Sequence, residues 1–381
     1  MKRSDINGFI KKNWKKLDDF QLAAKCGVSL AAIRLRRSAL RLLRDPQVDP
    51  KQAVKEASQA QKRQEERKRE KQQLSYLIKE NERLEREVQA ASALRRPVQN
   101  YKIGRSQSLS GEATMIALAS DWHLEEEVKA AQVNGLNTYT LEIARARALS
   151  YFSTLLRLIQ IEQQNTKVDN LVLALLGDFI TGDIHEELVE TAKLGPTEAC
   201  RFAQELIISG LDYLLKNSKL NILCVCHSGN HGRTTKDQRH ATEHAHSLEW
   251  LLYNNLADRY RDEPRVTFQI PDSYHSYVQV YDWTIRFHHG HAINYGGGVG
   301  GITIPVRKAI AQWNTLKRAD FDCFGHFHQA FDGSNFVANG SMIGYNAYAL
   351  SIKAGYEEPI QMLFGIHSKL GKFITRPIKF V

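Results

Sequence analysis

The feature that most restricts the fold of this 381-residue chain is an alternation of short apolar runs with longer helical patterns, which begins at Thr114. The runs TMIALAS, NLVLALLG and NILCVCHSG are each followed by a stretch of helical spacing, over residues 139–164, 196–215 and 239–260. More short strand patterns come later, and the last strands are expected within residues 361–381. Strands that alternate with helices predict an α/β fold.

Polar side chains stand directly after five of the predicted strands. They are Asp121 and His123 in SDWH, Asp178 in GDFITGD, Asn230 and His231 in SGNHGR, His288, His289 and His291 in HHGH, and His326 and His328 in GHFH. Since ligand sites in α/β sheets form outside the carboxyl ends of the strands, these side chains are expected to converge on one rim. Carboxylate oxygens, an amide oxygen and imidazole nitrogens together suit divalent ions such as manganese, iron or zinc.

This set of donors is large enough for two metal ions with one carboxylate shared between them. Two ions roughly 3.5–4 Å apart polarise a phosphoryl oxygen and lower the pKa of a bridging water, which makes hydroxide available at neutral pH. The predicted reaction is therefore hydrolysis of a phosphate ester. Helix N-caps are an alternative explanation for Asp121, Asp178 and Asn230, but they give the histidines no role.

The spacing of the histidines predicts where their rings point. On extended backbone His326 and His328 turn to the same face, because the side chains of a strand alternate. The same period of two turns His288 away from the metals, into the core or the solvent, when His289 faces them.

The motifs D-x-H, GD, GNH, HG and GHxH, in this order, resemble those of the calcineurin-like metallophosphoesterase superfamily over about residues 114–341. The resemblance implies a two-sheet α/β sandwich with a site for two divalent metal ions, and manganese is the first candidate. The implied ligands are Asp121, His123 and His328 at the first metal, Asp178 as the bridge, and Asn230, His289 and His326 at the second. The implied catalytic residues are Asp178 and His231, and His231 contacts the scissile phosphate and protonates the leaving oxygen.

One position departs from the family pattern. Many members have an acidic residue straight after the GNH histidine, where it orients the imidazole, whereas this chain continues with Gly232 and Arg233. His231 must therefore find another partner or act only by hydrogen bonding. Arg233 is predicted to contact a substrate phosphate, and His291 is predicted to approach the substrate as well.

Two further stretches have more than one interpretation. RHATEHAH contains H-x-x-E-H, which on a helix places His240 and His244 on one face. A solvated or substrate-facing helix is favoured there over an inverted zinc-peptidase site. The glycine-rich residues 293–305 predict a substrate-contacting loop or a flexible connection, and they do not match the phosphate-loop pattern.

The net charge of +10 is concentrated at the start of the chain. Residues 1–100 carry 25 Lys+Arg and 13 Asp+Glu, a net charge of +12, whereas the remaining residues have a net charge of −2. All fourteen histidines lie between His123 and His367. The first part is therefore expected to bind a polyanion, and the rest to use imidazole chemistry.

Residues 1–46 are predicted to form a helix-turn-helix domain that binds DNA. One helix is expected to end at Gly27, and Ser29 is the predicted N-cap of a basic second helix. A helix that reads a DNA groove carries both phosphate and base contacts. The predicted DNA contacts are Arg34, Arg36, Arg37 and Arg41. A small helical bundle with solvated arginines is the alternative.

Residues 51–95 lack glycine and proline and predict a long helix. From Leu74 a heptad pattern places Asn81 at an a position, which favours a parallel two-stranded coiled coil. A homodimer through residues 74–94 would pair two helix-turn-helix units, as palindromic DNA sites require. A lone charged helix between domains is the alternative. Residues 96–113 are predicted to be a linker, and residues 114–381 to be the catalytic domain.

Composition narrows the location of the protein. No apolar run approaches the length of a membrane span, and the first residues lack the apolar core of a signal peptide. Five scattered cysteines predict free thiols in a reducing compartment. Together these features predict a cytoplasmic protein without membrane contact.

The sequence as a whole predicts a metal-dependent phosphodiesterase that acts on DNA, because the motif spelling and the basic first part resemble the nuclease branch of the superfamily. A phosphomonoesterase or small-nucleotide phosphodiesterase is the second hypothesis, since a catalytic part with a net charge of −2 does not require a polymer. The third is a DNA-binding regulator with an inactive metal domain, which would bind palindromic DNA without cutting it.

Overall fold

The structure is a computed structural model. It describes residues 3–42, 101–105, 111–295 and 301–380, together with six positions between residues 68 and 79. The chain divides into two compact units, residues 1–96 and 97–381. Among the helices that the structure describes, none combines the length and the apolar character needed to cross a lipid bilayer.

Residues 3–42, the continuously described part of the first unit, form three short helices around a small apolar core. They are α1 (Arg3–Asn13), α2 (Asp19–Cys26) and α3 (Leu30–Ala39). Their buried residues include Ile6, Ile10, Leu22, Ala23, Cys26 and Ile33. Gly27 ends α2 with a φ of 67°, which suits glycine, and Ser29 caps α3 by accepting a hydrogen bond from Ala32 N. Both helix ends lie where the sequence predicts them, while DNA binding by this unit remains a prediction.

The predicted DNA contacts on and after α3 differ in exposure. Arg34 and Arg41 are exposed and Arg36 is half-buried, whereas Arg37 is only 9% exposed. The Arg37 guanidinium forms an ion pair with Asp19 inside the unit. The assignment of Arg37 to DNA is therefore corrected, because a buried and paired guanidinium is not available to a phosphate.

The predicted coiled coil over residues 74–94 lies outside the described residues, apart from positions 75 and 79, which are helical. Helical backbone is also described at residue 68 and at residues 71–73. The heptad and the homodimer therefore stay predictions.

The described residues of the second unit form two six-stranded sheets. The strands are β1 (Tyr101–Ile103), β2 (Glu112–Ala119), β3 (Lys167–Leu175), β4 (Asn221–Cys226), β5 (Val266–Gln269), β6 (Ser276–Val280), β7 (Trp283–Phe287), β8 (Phe321–Phe324), β9 (Phe331–Asp332), β10 (Phe336–Ala338), β11 (Ile360–His367) and β12 (Gly371–Lys379). One sheet has the order β12-β11-β2-β3-β4-β5, with β2 to β5 parallel. The other has the order β1-β6-β7-β8-β10-β9, with β7, β8 and β10 parallel.

The described part of the second unit also contains helices between its strands. They are α4 (Leu141–Gln163), α5 (Glu186–Thr191), α6 (Pro196–Asn217), α7 (Leu248–Arg259), α8 (Thr303–Asn314) and α9 (Ala347–Ser351), with short 3-10 helices at Ala130–Val133 and His244–His246. Along β2, Met115 and Ala117 pack in the core with α4 and α6, whereas Ile116 and Leu118 pack in the core between the sheets. This arrangement confirms the predicted two-sheet α/β fold.

The predicted linker contains a strand. Tyr101–Ile103, within residues 96–113, pairs in parallel with β6 and forms an edge of its sheet. Its short apolar alternation gave no clear strand signal, and the pairing with β6 determines its conformation. The globular part of the second unit therefore begins before residue 114.

The predicted helix over residues 239–260 is shorter than expected. It begins at Leu248, because Ser247 Oγ accepts a hydrogen bond from Trp250 N and caps it. Between residues 239 and 247, all of which the structure describes, the only helix is the 3-10 helix His244–His246. His240 and His244 therefore share no face of an α-helix, and the H-x-x-E-H helix is a wrong prediction. Of the glycine-rich stretch, residues 296–300 lie outside the described part of the chain.

Candidate metal centre

The carboxyl ends of five strands carry the predicted ligands. β2, β3 and β4 are parallel neighbours in one sheet, and β7 and β8 are parallel neighbours in the other. Five of the ligand positions after these strands have left-handed backbone. They are Asp121 (φ 56°), His123 (φ 45°), Asp178 (φ 53°), His326 (φ 69°) and His328 (φ 51°). Such backbone is uncommon outside glycine and concentrates at functional sites.

His326 and His328 reach the centre through a turn. Strand β8 ends at Phe324, and both histidines then have positive φ. The expectation of an extended pair with both rings on one face is therefore wrong, because left-handed residues reverse the direction of the chain. The two rings instead join different ligand groups.

Three groups of potential ligand atoms lie close together. The atoms within each group are at most 4.8 Å apart, and the groups are Asp121, His123 and His328; His123, Asp178 and His231; and Asp178, His289 and His326. In the first group, His328 Nε2 lies 3.5 Å from Asp121 Oδ1 and 3.3 Å from His123 Nε2. In the third group, His289 Nε2 lies 3.0 Å from Asp178 Oδ2. Since His123 and Asp178 each belong to two groups, the three groups form one continuous centre.

Asn230 supplies an oxygen that needs a partner. Its Oδ1 is buried and accepts no hydrogen bond from the described residues. A buried acceptor without a donor costs free energy, and coordination of a cation would satisfy it. Gly229 allows the segment before Asn230 to pass close to Asp178, since a Cβ on residue 229 would lie 2.0 Å from Asp178 Oδ1. The oxygen and imidazole donors of the centre therefore fit a divalent metal ion.

Charges inside the centre shift the pKa values of its members. Burial lowers the pKa of His289, but the negative charge of Asp178 outweighs it and raises that pKa to about 10. Burial opposes ionisation of Asp178, yet His289 and His231 hold its pKa well below the usual range. Burial and neighbouring imidazoles lower the pKa of His123 and His326. A metal ion that binds Asp178 and His289 would therefore have to displace the proton that the two residues hold on His289.

His231 has two hydrogen-bond partners, although no acidic residue follows it in the chain. Its backbone N–H donates to Asp178 Oδ1 at 2.9 Å. Its ring Nδ1 lies 2.9 Å from the carbonyl oxygen of Thr181. Because a carbonyl oxygen only accepts, Nδ1 carries the hydrogen. The sequence did not reveal this partner, since a backbone carbonyl does not depend on residue type.

Arg233 holds its own loop in place. The guanidinium donates to the carbonyl oxygens of Asn230 at 2.6 Å, Thr235 at 3.1 Å and Lys236 at 3.2 Å. All three nitrogens of the side chain take part in these bonds. These bonds use one N–H of each nitrogen, so N–H groups of both terminal nitrogens remain, and the contact of Arg233 with a substrate phosphate stays a prediction.

His288 and His291 flank the ligand His289 in different ways. His291 Nε2 lies 3.1 Å from Glu243 Oε1, and its ring is 5.5 Å from the His289 ring. His291 is thus at the margin of the centre and beside a carboxylate. His288 is fully buried and stacks on Phe324 at 5.2 Å, so it turns away from the ligand groups as the strand alternation predicts.

Two buried glutamates hold the ligand-bearing turns, and the sequence did not point to either. Glu249 accepts from Phe179 N and Gly229 N, both at 2.7 Å. Glu125 accepts from Thr181 N at 2.7 Å. Burial raises the pKa of Glu125 to about 7 and that of Glu249 to about 8. The residues next to Glu125 and Glu249 in the sequence do not distinguish them from glutamates at a protein surface, so no local signal could have identified them.

No family model and no curated protein sequence matches the chain. Among solved structures, the chain is similar to a hypothetical protein from Pyrococcus horikoshii OT3, at 11% identity and a TM-score of 0.35 over 70% of this chain and 89% of that one. It is also similar to a conserved uncharacterized protein from Streptococcus pneumoniae TIGR4, described as a predicted phosphoesterase, at 12% identity and a TM-score of 0.27 over 70% of this chain and 97% of that one. A third is Vacuolar Protein Sorting 29 from Cryptosporidium parvum, at 12% identity and a TM-score of 0.29 over 70% and 97% of the two chains. TM-scores of this size carry no inference about activity.

Proposed function

We propose that this chain is a metal-dependent phosphodiesterase that hydrolyses DNA. The observation that carries the proposal is the contiguity of the three ligand groups, which share His123 and Asp178. Shared ligands suit two cation positions side by side, with Asp178 between them. Two divalent ions, when bound, supply Lewis acidity and lower the pKa of a water between them, which is the chemistry of phosphate ester hydrolysis.

The proposed ligands are those that the family resemblance implies. They are Asp121, His123 and His328 for the first ion, Asp178 as the bridge, and Asn230, His289 and His326 for the second. Manganese is the first candidate, and iron and zinc match the same donors. His289 Nδ1 lies 2.6 Å from the carbonyl oxygen of Leu176, which leaves Nε2 for the metal. A hydrogen bond from the other ring nitrogen is the usual arrangement for a metal-binding histidine.

His231 is proposed to contact the scissile phosphate. Its Nδ1–H donates to the carbonyl of Thr181, so Nε2 is the nitrogen left for the substrate. To donate to a phosphate oxygen, Nε2 must carry a hydrogen as well. The same proton can then pass to the leaving oxygen.

The choice of DNA as the substrate depends on the first unit. Residues 1–100 have a net charge of +12, and basic side chains that neutralise phosphates gain affinity by releasing counterions. The exposed basic side chains of this unit include Lys11, Lys12, Lys15, Lys16, Arg34 and Arg41. Leu35 on α3 is 74% exposed, and apolar side chains of this kind can contact a thymine methyl group. We assign Arg34, Arg36 and Arg41 to DNA, and a homodimer through residues 74–94 would present two such units.

The test is hydrolysis of plain and end-labelled DNA, beside bis(p-nitrophenyl) phosphate, with added manganese and with EDTA. The wild-type chain and the Asp178→Asn variant are assayed in parallel. Metal-dependent cutting of DNA that the variant loses is the expected result. Cleavage of the small ester alone would replace DNA by a small phosphodiester as the substrate. Turnover of neither would contradict the enzyme and favour a DNA-binding regulator.

A further inference from the structure

Thr181 lies between two histidines of the centre and contacts both. Its Oγ1 is 3.1 Å from His123 Nδ1, and its carbonyl oxygen is 2.9 Å from His231 Nδ1. The two rings meet edge to face, with their centroids 4.8 Å apart. One residue therefore engages the Nδ1 atom of each ring, and each ring keeps Nε2 for another contact.

The chemistry of the two contacts fixes which nitrogen carries a hydrogen. The carbonyl of Thr181 can only accept, so His231 has its hydrogen on Nδ1. His123 Nε2 is on the side of the ligand groups, 3.3 Å from His328 Nε2. If Nε2 of His123 binds a metal, its Nδ1 carries the hydrogen and donates to the Thr181 hydroxyl.

The backbone of Thr181 is itself held by a buried carboxylate. Glu125 is 1% exposed, and its Oε1 accepts from Thr181 N at 2.7 Å and from Gly182 N at 2.9 Å. The peptide whose carbonyl holds His231 is therefore fixed from both sides. Gly182 has a φ of 67°, and a Cβ there would lie 2.5 Å from the His231 carbonyl oxygen, so the turn passes close to that histidine.

We infer that Thr181 is a positioning residue for both His123 and His231, and that Glu125 fixes Thr181 in the required orientation. The inference rests on the proposed metal centre. The hydroxyl of Thr181 sets the tautomer of His123, a proposed metal ligand. The carbonyl of Thr181 sets the tautomer of His231, which faces the substrate. In this chain the turn after Asp178 thus supplies the orienting contact that an acidic residue after GNH supplies elsewhere in the family.

The hydroxyl is tested with a matched pair of variants of the full chain. Thr181→Val removes the oxygen and keeps the shape, whereas Thr181→Ser keeps the oxygen and removes a methyl group. Manganese affinity is measured by isothermal titration calorimetry. We expect Thr181→Val to weaken the binding of one ion by about 10–100-fold, the usual effect of losing a partner of a metal-binding histidine, and Thr181→Ser to stay close to wild type.

The carbonyl is tested through Glu125. Glu125→Gln keeps an oxygen that can accept both backbone N–H groups, and Glu125→Met does not. Long-range proton–nitrogen NMR spectra report the tautomer of His231, and we expect the Nδ1–H form in wild type and Glu125→Gln and a mixture of tautomers in Glu125→Met.

Each outcome decides the inference. Equal manganese affinities for Thr181→Val and Thr181→Ser, or an unchanged His231 tautomer in a folded Glu125→Met, would overturn it. A wild-type chain that binds manganese but cuts no DNA would remove the proposed substrate and leave the Thr181 comparison valid. A wild-type chain that binds no manganese would remove both, since a positioning residue needs a ligand to position.

Discussion

A Cβ atom on Gly232 would lie 2.8 Å from Cγ of Glu249 and 3.1 Å from its carboxyl carbon. Glycine follows the GNH motif here because a buried side chain from α7 occupies the space where a larger residue would begin. Glu249 in turn accepts from Phe179 N and Gly229 N, both at 2.7 Å. It therefore joins the turn after Asp178 to the segment before Asn230, and an acid directly after His231 has no room.

Placing an acidic residue directly after His231 with Gly232→Asp is expected to damage the centre. The new side chain would displace Glu249 and separate the two turns that it joins, and overpacking of this kind costs about 1–3 kcal/mol. We expect a lower melting temperature and manganese affinity reduced by about tenfold or more, measured by calorimetry. Gly104→Ala, where no atom lies within 4 Å of the new Cβ, is the control. Wild-type affinity in Gly232→Asp would refute the packing argument.

The two cation positions are distinguished by variants of different ligands. Asp178→Asn is expected to abolish tight binding at both positions, because Asp178 belongs to two of the ligand groups, whereas His326→Ala should affect one. Manganese bound per chain, measured after gel filtration, checks this. His288→Phe is the control, since that ring is buried against Phe324 and outside the ligand groups. If His326→Ala and Asp178→Asn lose the same amount of metal, the bridging role is wrong.

The buried carboxyl of Glu249 predicts a pH dependence of stability in the metal-free protein. Burial raises its pKa from 4.5 to about 8, so between these values the folded chain holds a proton that the unfolded chain releases. The free energy of unfolding therefore falls as the pH rises through this window, by up to about 1.4 kcal/mol per pH unit for one proton.

Glu249→Gln has no carboxyl group to titrate at this position, and we expect its unfolding free energy to fall less steeply between about pH 5 and pH 8. Urea unfolding in EDTA at several pH values measures the slopes. Glu186→Gln, at an exposed position of α5, is the control. Equal slopes in wild type and Glu249→Gln would contradict the assignment.

The arginines of the first unit are expected to separate into two classes. Arg34→Ala and Arg41→Ala should weaken DNA binding and each reduce the slope of log affinity against log salt by about 0.9, as expected for one phosphate contact. Arg37→Ala should instead destabilise the unit by about 1.5–3 kcal/mol, because it breaks a charged hydrogen bond to Asp19. Fluorescence anisotropy at several salt concentrations and thermal unfolding measure the two effects. A stable Arg37→Ala variant with weakened DNA binding would show that Arg37 contacts DNA and is not needed for the stability of the unit.

Sequence patterns predicted the parts of this molecule that depend on local chemistry. Alternating apolar runs and helical spacing predicted an α/β fold, since periodicity determines which face of an element is buried, whereas its two sheets were expected from the family resemblance. The polar residues after each strand, such as Asp178 and Asn230, were predicted to converge because parallel strands end at one edge. The caps at Gly27 and Ser29 were predicted from the backbone preferences of the residues themselves.

Only the tertiary structure decided which contacts support those residues. Glu125 and Thr181 are 56 residues apart, and Glu249 and Phe179 are 70 apart, so no local window contains either pair. The partner of His231 is a backbone carbonyl, which any residue type can provide. Burial of Arg37 and the exclusion of a side chain at residue 232 likewise follow from packing between distant segments. The sequence alone determined which chemical groups the centre would have, because motifs encode residue types at strand ends. The tertiary structure decided their orientation, because hydrogen bonds and close packing depend on distances between elements that are remote in the chain.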